Sequence, residues 1–241
     1  MFKTMRRAEH KPSGRGDERG RAILEAALAV FREKGFERAT MRQVADAAHV
    51  AVGAAYYYFP SKEALVFAWY EQIQERHAAS FKPTGELQER IRLALVTKLD
   101  LLKEHRPLLS ALFQFAAIKD HPLSPFSEGS RSVRASAMSV FEAAIGSEVS
   151  DALLKDLVVR SLWLAHLGLI LFFIHDEGEA AKTYALAGRM ADGFAKVCAL
   201  LSLPFAGPFV APILEALLEA ELLSSPGIEN PGVLTQTEKP R

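Results

Sequence analysis

The sequence predicts an all-α protein, and three observations carry that expectation. No stretch alternates apolar and polar residues as a half-buried strand does. Apolar residues instead recur three and four positions apart through most of the chain, in segments closed by Gly, Pro or Ser. Residues Thr40 to Lys62, TMRQVADAAHVAVGAAYYYFPSK, read as two short helices about a tight turn with a third beginning behind them. With a longer helix in front, this is a helix-turn-helix pattern.

The elements follow in order. Residues 1–16 are rich in Arg, Lys and Gly without periodicity and read as a flexible basic arm. From Asp17 to Lys34 a helix is expected, with Ile23, Leu24, Ala27, Leu28 and Phe31 on one face and Gly35 as its left-handed C-cap. Thr40-Met41-Arg42-Gln43 is a capping box that starts the next helix. His49 falls where the chain must reverse, a place for positive φ that His tolerates better than most residues with a side chain. Val52 to Phe59 form the second helix of the motif, Pro60 ends it, and Ser61 caps a helix running to about Ser80. Further helices are expected over Glu86–Glu104, Arg106–Ile118 (Pro107 in its first turn), Phe126–Ile145, Val149–Ile174, Glu179–Leu203 and Pro208–Leu223. Residues 225–241 hold no periodic pattern and are expected to be disordered.

Composition narrows the class. The chain has 241 residues, 49% apolar and 24% charged, which suits a folded protein with a sizeable core. The net charge is zero but uneven, with 12 Lys and Arg against 7 Asp and Glu in residues 1–62 and 17 against 22 thereafter. A basic first quarter suits a polyanionic partner, although a solvated basic tail supplies much of the excess. Cys198 is the sole cysteine, so no internal disulfide can form, and a cytoplasmic location is expected. The N-terminus lacks the apolar core of an export signal. The longest apolar run, Leu162 to Ile174, has 13 residues. A membrane span needs roughly 17–25, so a buried helix is expected and no membrane partner. No H-E-x-x-H, Walker lysine or nucleophile elbow occurs. The expectation is therefore a protein that is not an enzyme, with no catalytic residue, metal site or cofactor.

The motif has its own chemistry. A helix fits the major groove of B-DNA, and the first residues of the second helix of such a motif reach base edges. Val52, Gly53, Ala54 and Ala55 are all small there. Glycine inside a helix costs about 1 kcal/mol relative to alanine, so Gly53 needs a reason. Close approach to a nucleic-acid backbone is one, and tight packing of two helices is another. Tyr56, Tyr57, Tyr58 and Phe59 follow at about 100° per residue and cannot all be buried. At least one hydroxyl is free to donate to a phosphate, with Phe59 the best suited to the core. Lys62 lies in a first helical turn, where the macrodipole opposes a cation. Either a phosphate at that helix end compensates it, or the cost is tolerated.

These residues resemble the N-terminal domain of TetR-family (tetracycline-repressor-like) transcriptional regulators. The resemblance spans residues 17–77, with the motif at 40–59. It is carried by Ile23-Leu24-x-Ala26-Ala27, Phe31, Gly35-Phe36, Thr40, Val44-Ala45, Ala48, Val50, Gly53, Tyr56, Phe59, Ser61-Lys62-Glu63 and Leu65. It implies a three-helix DNA-binding domain followed by a helical effector-binding and dimerisation domain over residues 78–224. It also implies a ligand-responsive repressor that binds a palindromic double-stranded operator as a homodimer and is released by a small effector. The family's DNA-facing positions fall on Thr40, Met41 and Arg42, on Val52, Gly53, Ala54, Tyr56, Tyr57 and Tyr58, and on Lys62 as phosphate clamp. Three departures stand out: His49 in place of the turn glycine, Ala51 in place of the capping serine, and Ala54-Ala55 in place of a polar and a larger apolar residue. The missing cap should cost about 1 kcal/mol and let the recognition helix fray in free protein. Arg42 is the best candidate for a guanine contact, whereas Val52 and Ala54 can reach only a thymine methyl, so DNA shape contributes more.

For the remainder, the dimer contact is expected through the helices near 149–174 and 179–203, parts of which also fill the core. Phe113, Phe115, Trp163, His166 and Phe172 are candidates for an effector pocket, being large or polar groups on apolar segments, and they suggest an apolar, aromatic effector. A lone histidine on an apolar helix is more often a satisfied core residue. Arg131 and Arg134 could meet an acidic ligand, but a solvated face is the simpler expectation. The alternative function is an α-helical interaction protein whose degenerate motif does not bind DNA specifically.

Overall fold

A computed structural model describes residues 14–118 and 120–203, together with 210–212, 215, 216 and 219. The described residues form helices and turns with no strand. The helices are α1 (Gly14–Lys34), α2 (Met41–Ala47), α3 (Val52–Tyr58), α4 (Lys62–Ser80), α5 (Leu87–Leu102), α6 (Arg106–Phe113), α7 (Arg131–Ile145), α8 (Ala152–His175) and α9 (Ala181–Leu201). Short 3-10 turns at Lys103–His105 and Gln114–Ala117 follow α5 and α6.

The local signals act as expected in the first domain. Gly35 is left-handed at φ 80° and ends α1, and its amide bonds back to the Phe31 carbonyl. The Thr40 hydroxyl accepts from the Gln43 amide at 3.3 Å and the Gln43 side chain accepts from the Thr40 amide at 3.0 Å, closing the capping box. His49 takes φ 54° in the turn between α2 and α3. Ala51 offers α3 no side-chain cap, whereas Ser61 accepts from Ala64 at the start of α4. Ile23, Ala27, Phe31, Phe36, Val44, Ala45, Ala55, Leu65 and Val66 close the three-helix core.

Helix α4 continues out of this domain into the second one. Trp69, Ile73 and His77 on its buried face meet α5 and α7. Helices α8 and α9 pack on each other, α9 on α5, and α8 on α6 and α7. Helix α8 is long and apolar enough to cross a membrane by length and composition. Here Val158, Leu162, Leu169 and Phe173 face the interior, so the helix is a wall of the core. The corner between α8 and α9 is built by charge. Asp176 accepts from the amide and the hydroxyl of Thr183, each at 2.8 Å, and so caps α9 from outside the helix. Those bonds hold the Asp176 carboxyl below its ordinary range. Arg106 from α6 donates to the carbonyls of Asp176 and Gly178 and lies over the Phe173 ring.

Several boundaries differ from expectation. Helix α1 begins at Gly14, inside the stretch expected to be a flexible arm. Helix α7 begins at Arg131 rather than Phe126. The reason is the serines: Ser127 donates to the Pro122 carbonyl at 2.7 Å and Ser130 to the Ser124 carbonyl at 2.7 Å. Hydroxyls that bond the local backbone offer it an alternative to helix. The expected helix Pro208–Leu223 lies outside the described residues except for the positions named above, and residues 1–13 and 225–241 lie wholly outside them.

Candidate functional site

Two sites stand out, and α4 belongs to both. The first is the outer face of α2 and α3. Gly53, Tyr56 and Tyr57 are exposed and lie at i, i+3 and i+4, so they share one face of α3. Tyr57 is 76% exposed and Tyr56 49%. Arg42 and Thr40 are exposed at the start of α2, and Arg42 makes no hydrogen bond or ion pair among the described residues. A Cβ built on Gly53 would meet nothing within 4 Å. Packing inside the protein therefore does not require glycine there, which removes one of the two explanations considered for it.

The other expected contacts divide. Val52 and Ala54 are half-buried, Val52 packing on the core. Met41 is only 6% exposed and belongs to the core of the three-helix domain, which corrects its expected DNA-facing role: it is the first residue after the cap and turns inward. Tyr58 is half-buried. Its ring passes 3.5 Å from where Gly20 of α1 would carry a Cβ, so it braces α3 on α1 rather than standing free as Tyr57 does. Phe59 is half-buried and packs on the core.

Lys62, expected as a phosphate clamp, also has partners inside the protein. Its ammonium donates to the carbonyls of Phe36 at 2.8 Å and Glu37 at 3.1 Å and sits 4.7 Å from the Phe36 ring centroid. Helix α1 ends at Lys34 with carbonyls to satisfy, and the lysine at the start of α4 answers those of the following turn. It ties α4 to the α1–α2 turn, with one of its three donors left over.

The second site is a cavity of about 130 Å³ lined by α4, α5, α6, α7, α8 and the loop before α7. Of the expected pocket residues, Phe113, Trp163 and His166 line it. Phe115 does not: it stacks on His121 at 3.9 Å between ring centroids and meets the Phe36 ring edge-on at 5.8 Å, at the seam between the domains. Phe172 does not either, since it lies 41% exposed on the outer face of α8. Arg134, expected on a solvated face, is half-buried and lines the cavity, held by the Pro125 and Ser127 carbonyls. Arg131 is exposed and paired with Glu128.

Sequence reasoning missed the most unusual group in the wall. Lys98 is 2% exposed. Its ammonium donates to Gln74 Oε1 at 2.6 Å, and among the described residues no carboxylate pairs with it. Burial pushes its pKa down to about 7. His77, one turn beyond Gln74 on α4, donates through Nε2 to the Ala94 carbonyl at 2.8 Å. Burial first, and the Lys98 charge second, push its pKa to about 3. Both ring nitrogens of His166 are buried without a hydrogen-bond partner, and burial keeps that ring neutral. A signal for Lys98 does exist in the sequence: Ile91, Ala94, Leu95, Lys98, Leu99 and Leu102 follow the helical apolar register, and the lysine occupies a core position in it.

A third surface is notable for its apolarity. Leu164, Leu171 and Phe172 on α8, and Val197 and Leu200 on α9, are exposed. On α8 they flank the exposed Gly168 along one stripe at helical spacing.

Comparison with known proteins agrees with this geometry. Residues 23–69 match the family described as "Bacterial regulatory proteins, tetR family". Among curated relatives, the HTH-type transcriptional regulator RutR of Escherichia coli K12 is 36% identical over 110 residues, 43% of this chain and 50% of that protein. The HTH-type transcriptional repressor KstR of Mycolicibacterium smegmatis is 36% identical over 97 residues, 39% of this chain and 47% of that protein. The chain thus spans about half the length of the curated relatives it matches. Among solved structures, a tetR-family regulator from Streptomyces coelicolor superposes with a TM-score of 0.56 at 21% identity, covering 85% of this chain and 98% of that one. The regulator FadR of Bacillus subtilis, solved in complex with stearoyl-CoA, superposes with a TM-score of 0.59 at 16% identity, covering 73% and 97%. At these identities the structural matches establish the fold.

Proposed function

We propose that the chain, whose residues 23–69 match the tetR family of bacterial regulatory proteins, is a ligand-responsive repressor that binds a palindromic operator as a homodimer. The observation that carries the proposal is the face formed by Arg42, Gly53, Tyr56 and Tyr57. It is exposed, it contains a helical glycine that no internal contact requires, and it offers one cation and two hydroxyls. A helix carrying such a face can lie in a major groove with its backbone close to the DNA while the tyrosines donate to flanking phosphates. The relatives compared are regulators rather than enzymes, and the alternative of a motif that has lost DNA binding leaves Gly53 unexplained.

The dimer contact in this proposal is the apolar stripe of α8 and α9. Two copies related by a two-fold axis would bury Leu164, Leu171, Phe172, Val197 and Leu200 against their counterparts, and two-fold symmetry matches a palindromic site. Phe172 then acts at the interface rather than in the pocket. A bacterial repressor of this kind would work where its operator lies, in the cytoplasm.

The cavity is the effector site in this proposal, and two connections reach from it to the DNA-binding face. Helix α4 carries Gln74 in the cavity wall and Lys62 on the α1–α2 turn. The stretch after α6, whose Leu112 and Phe113 line the cavity, carries Phe115 onto Phe36, whose carbonyl receives Lys62. A ligand that moves α4 or α6 changes the angle of the three-helix domain, and the two recognition helices then no longer match half-sites one turn apart.

The test is selection of binders from a library of random duplexes with the full chain. An enriched inverted repeat whose affinity falls with salt supports the proposal. Failure to enrich any sequence, with no binding at low salt to the region upstream of the gene, favours the interaction protein.

A further inference from the structure

The cavity is apolar along most of its wall, and its ionisable charged groups, Lys98 and Arg134, are both basic. Lys98 contributes an ammonium that spends one hydrogen on Gln74 and has no other partner among the described residues. As an ammonium Lys98 can only donate, and it donates to the Gln74 oxygen, which turns the two amide hydrogens of Gln74 away from the lysine. His166 adds a ring N–H with no partner. Arg134 adds a guanidinium in the same wall. The cavity wall contains no Asp or Glu. A buried ammonium without a carboxylate is costly, and such a group is retained where something else completes it.

We propose that the cavity binds a small organic acid, its carboxylate seated on Lys98 and Gln74 and its apolar body between Phe113, Trp163 and the leucines of α6. This rests on the proposal that the cavity is the effector site, and it replaces the purely apolar effector expected from the sequence. One lysine and one neutral amide suit a monoanion. Arg134 gives Nη1 to the Pro125 and Ser127 carbonyls, which fixes it in the wall and leaves Nε and Nη2 to add positive potential there. Lys98 lies on α5 and Gln74 on α4, so the carboxylate bridges the helix that leads to the DNA-binding face.

The test uses matched pairs of acid and primary amide: butyrate, octanoate, decanoate, 4-phenylbutyrate and 1-naphthylacetate with their amides. Binding to the full chain is read by calorimetry and by tryptophan fluorescence, to which Trp163 in the cavity wall contributes beside Trp69. At least one acid should bind roughly tenfold or more tighter than its amide, as a charge-assisted hydrogen bond implies. Lys98→Met keeps the length of the stem and removes the charge. Gln74→Glu places a carboxylate of the protein beside the ammonium. Both should bring the acid-to-amide ratio close to one. A panel in which no acid binds, or in which acids and amides bind alike to the wild type, overturns the proposal. The selected DNA provides a separate readout. Acids that bind without releasing DNA would leave the acid site standing and defeat the effector reading. Amides that bind in preference and release DNA would do the reverse.

Discussion

Gly53 has no neighbour inside the protein that a methyl group would strike, so its replacement separates stability from DNA affinity. Gly53→Ala should raise the stability of the free protein by up to about 1 kcal/mol, because the helix gains a better former. The same change should weaken operator binding, because the added methyl meets the DNA. Thermal unfolding and fluorescence anisotropy report the two effects, and a variant that gains stability while binding DNA equally well would remove Gly53 from the interface. Lys98 gives a second prediction at this scale. In the unfolded chain it titrates near its ordinary 10.5, and in the folded protein near 7. Between those values the unfolded state binds more protons, so its contribution to stability rises with pH across that window, by at most about 1.4 kcal/mol per unit. Below about 7 the burial penalty is fully present. The groups that interact with it are Gln74 and His77 from α4 and His166 from α8, none of them an anion at neutral pH. Lys98→Met should therefore be more stable than the wild type at pH 7, with the gap narrowing toward pH 10 in denaturant titrations; a constant gap would contradict the assignment.

At the scale of elements, α3 is the weakest piece of secondary structure in the DNA-binding domain. It has seven residues and no side-chain cap. Ala51→Ser should add about 1 kcal/mol and slow amide exchange in α3 of the free protein, with little change in exchange when DNA is bound. Equally slow exchange in free and bound wild type would show that α3 does not fray. The capping box at Thr40, the left-handed Gly35, the positive φ at His49 and the missing cap at Ala51 were all legible, because each is a local backbone requirement met by a residue within three positions. The start of α7 was not, because the serines there bond carbonyls up to six residues away and so draw the chain out of the helix. Met41 was misread for a related reason: position in a motif tells which residues are near DNA, but only the packing of the folded domain tells which of them turn inward. Lys62 was read as a phosphate clamp or as a lysine that tolerates the helix dipole, and its bonds to Phe36 and Glu37, twenty-five and more residues away, have no local signature. Lys98 was visible as a charge in an apolar register, and its meaning came only when α4, α7 and α8 closed around it.

The whole molecule is governed by what its helices share. Helix α4 serves two cores, Phe115 joins the cavity side to Phe36, and α8 faces the core with one side and solvent with an apolar stripe. If that stripe is the dimer contact, Leu171→Glu should halve the mass seen by light scattering after gel filtration and leave the helical circular dichroism in place. It should also lower operator affinity steeply, since one half-site is lost. A variant that stays the same mass as the wild type would place the contact elsewhere. The most direct measurement of the central claim is a hydroxyl-radical footprint of the wild-type protein on its selected duplex, repeated with Arg42→Ala and Tyr57→Phe. The account predicts two protected patches about one helical turn apart, weakened by both substitutions. A single patch, or protection that neither substitution changes, would contradict it.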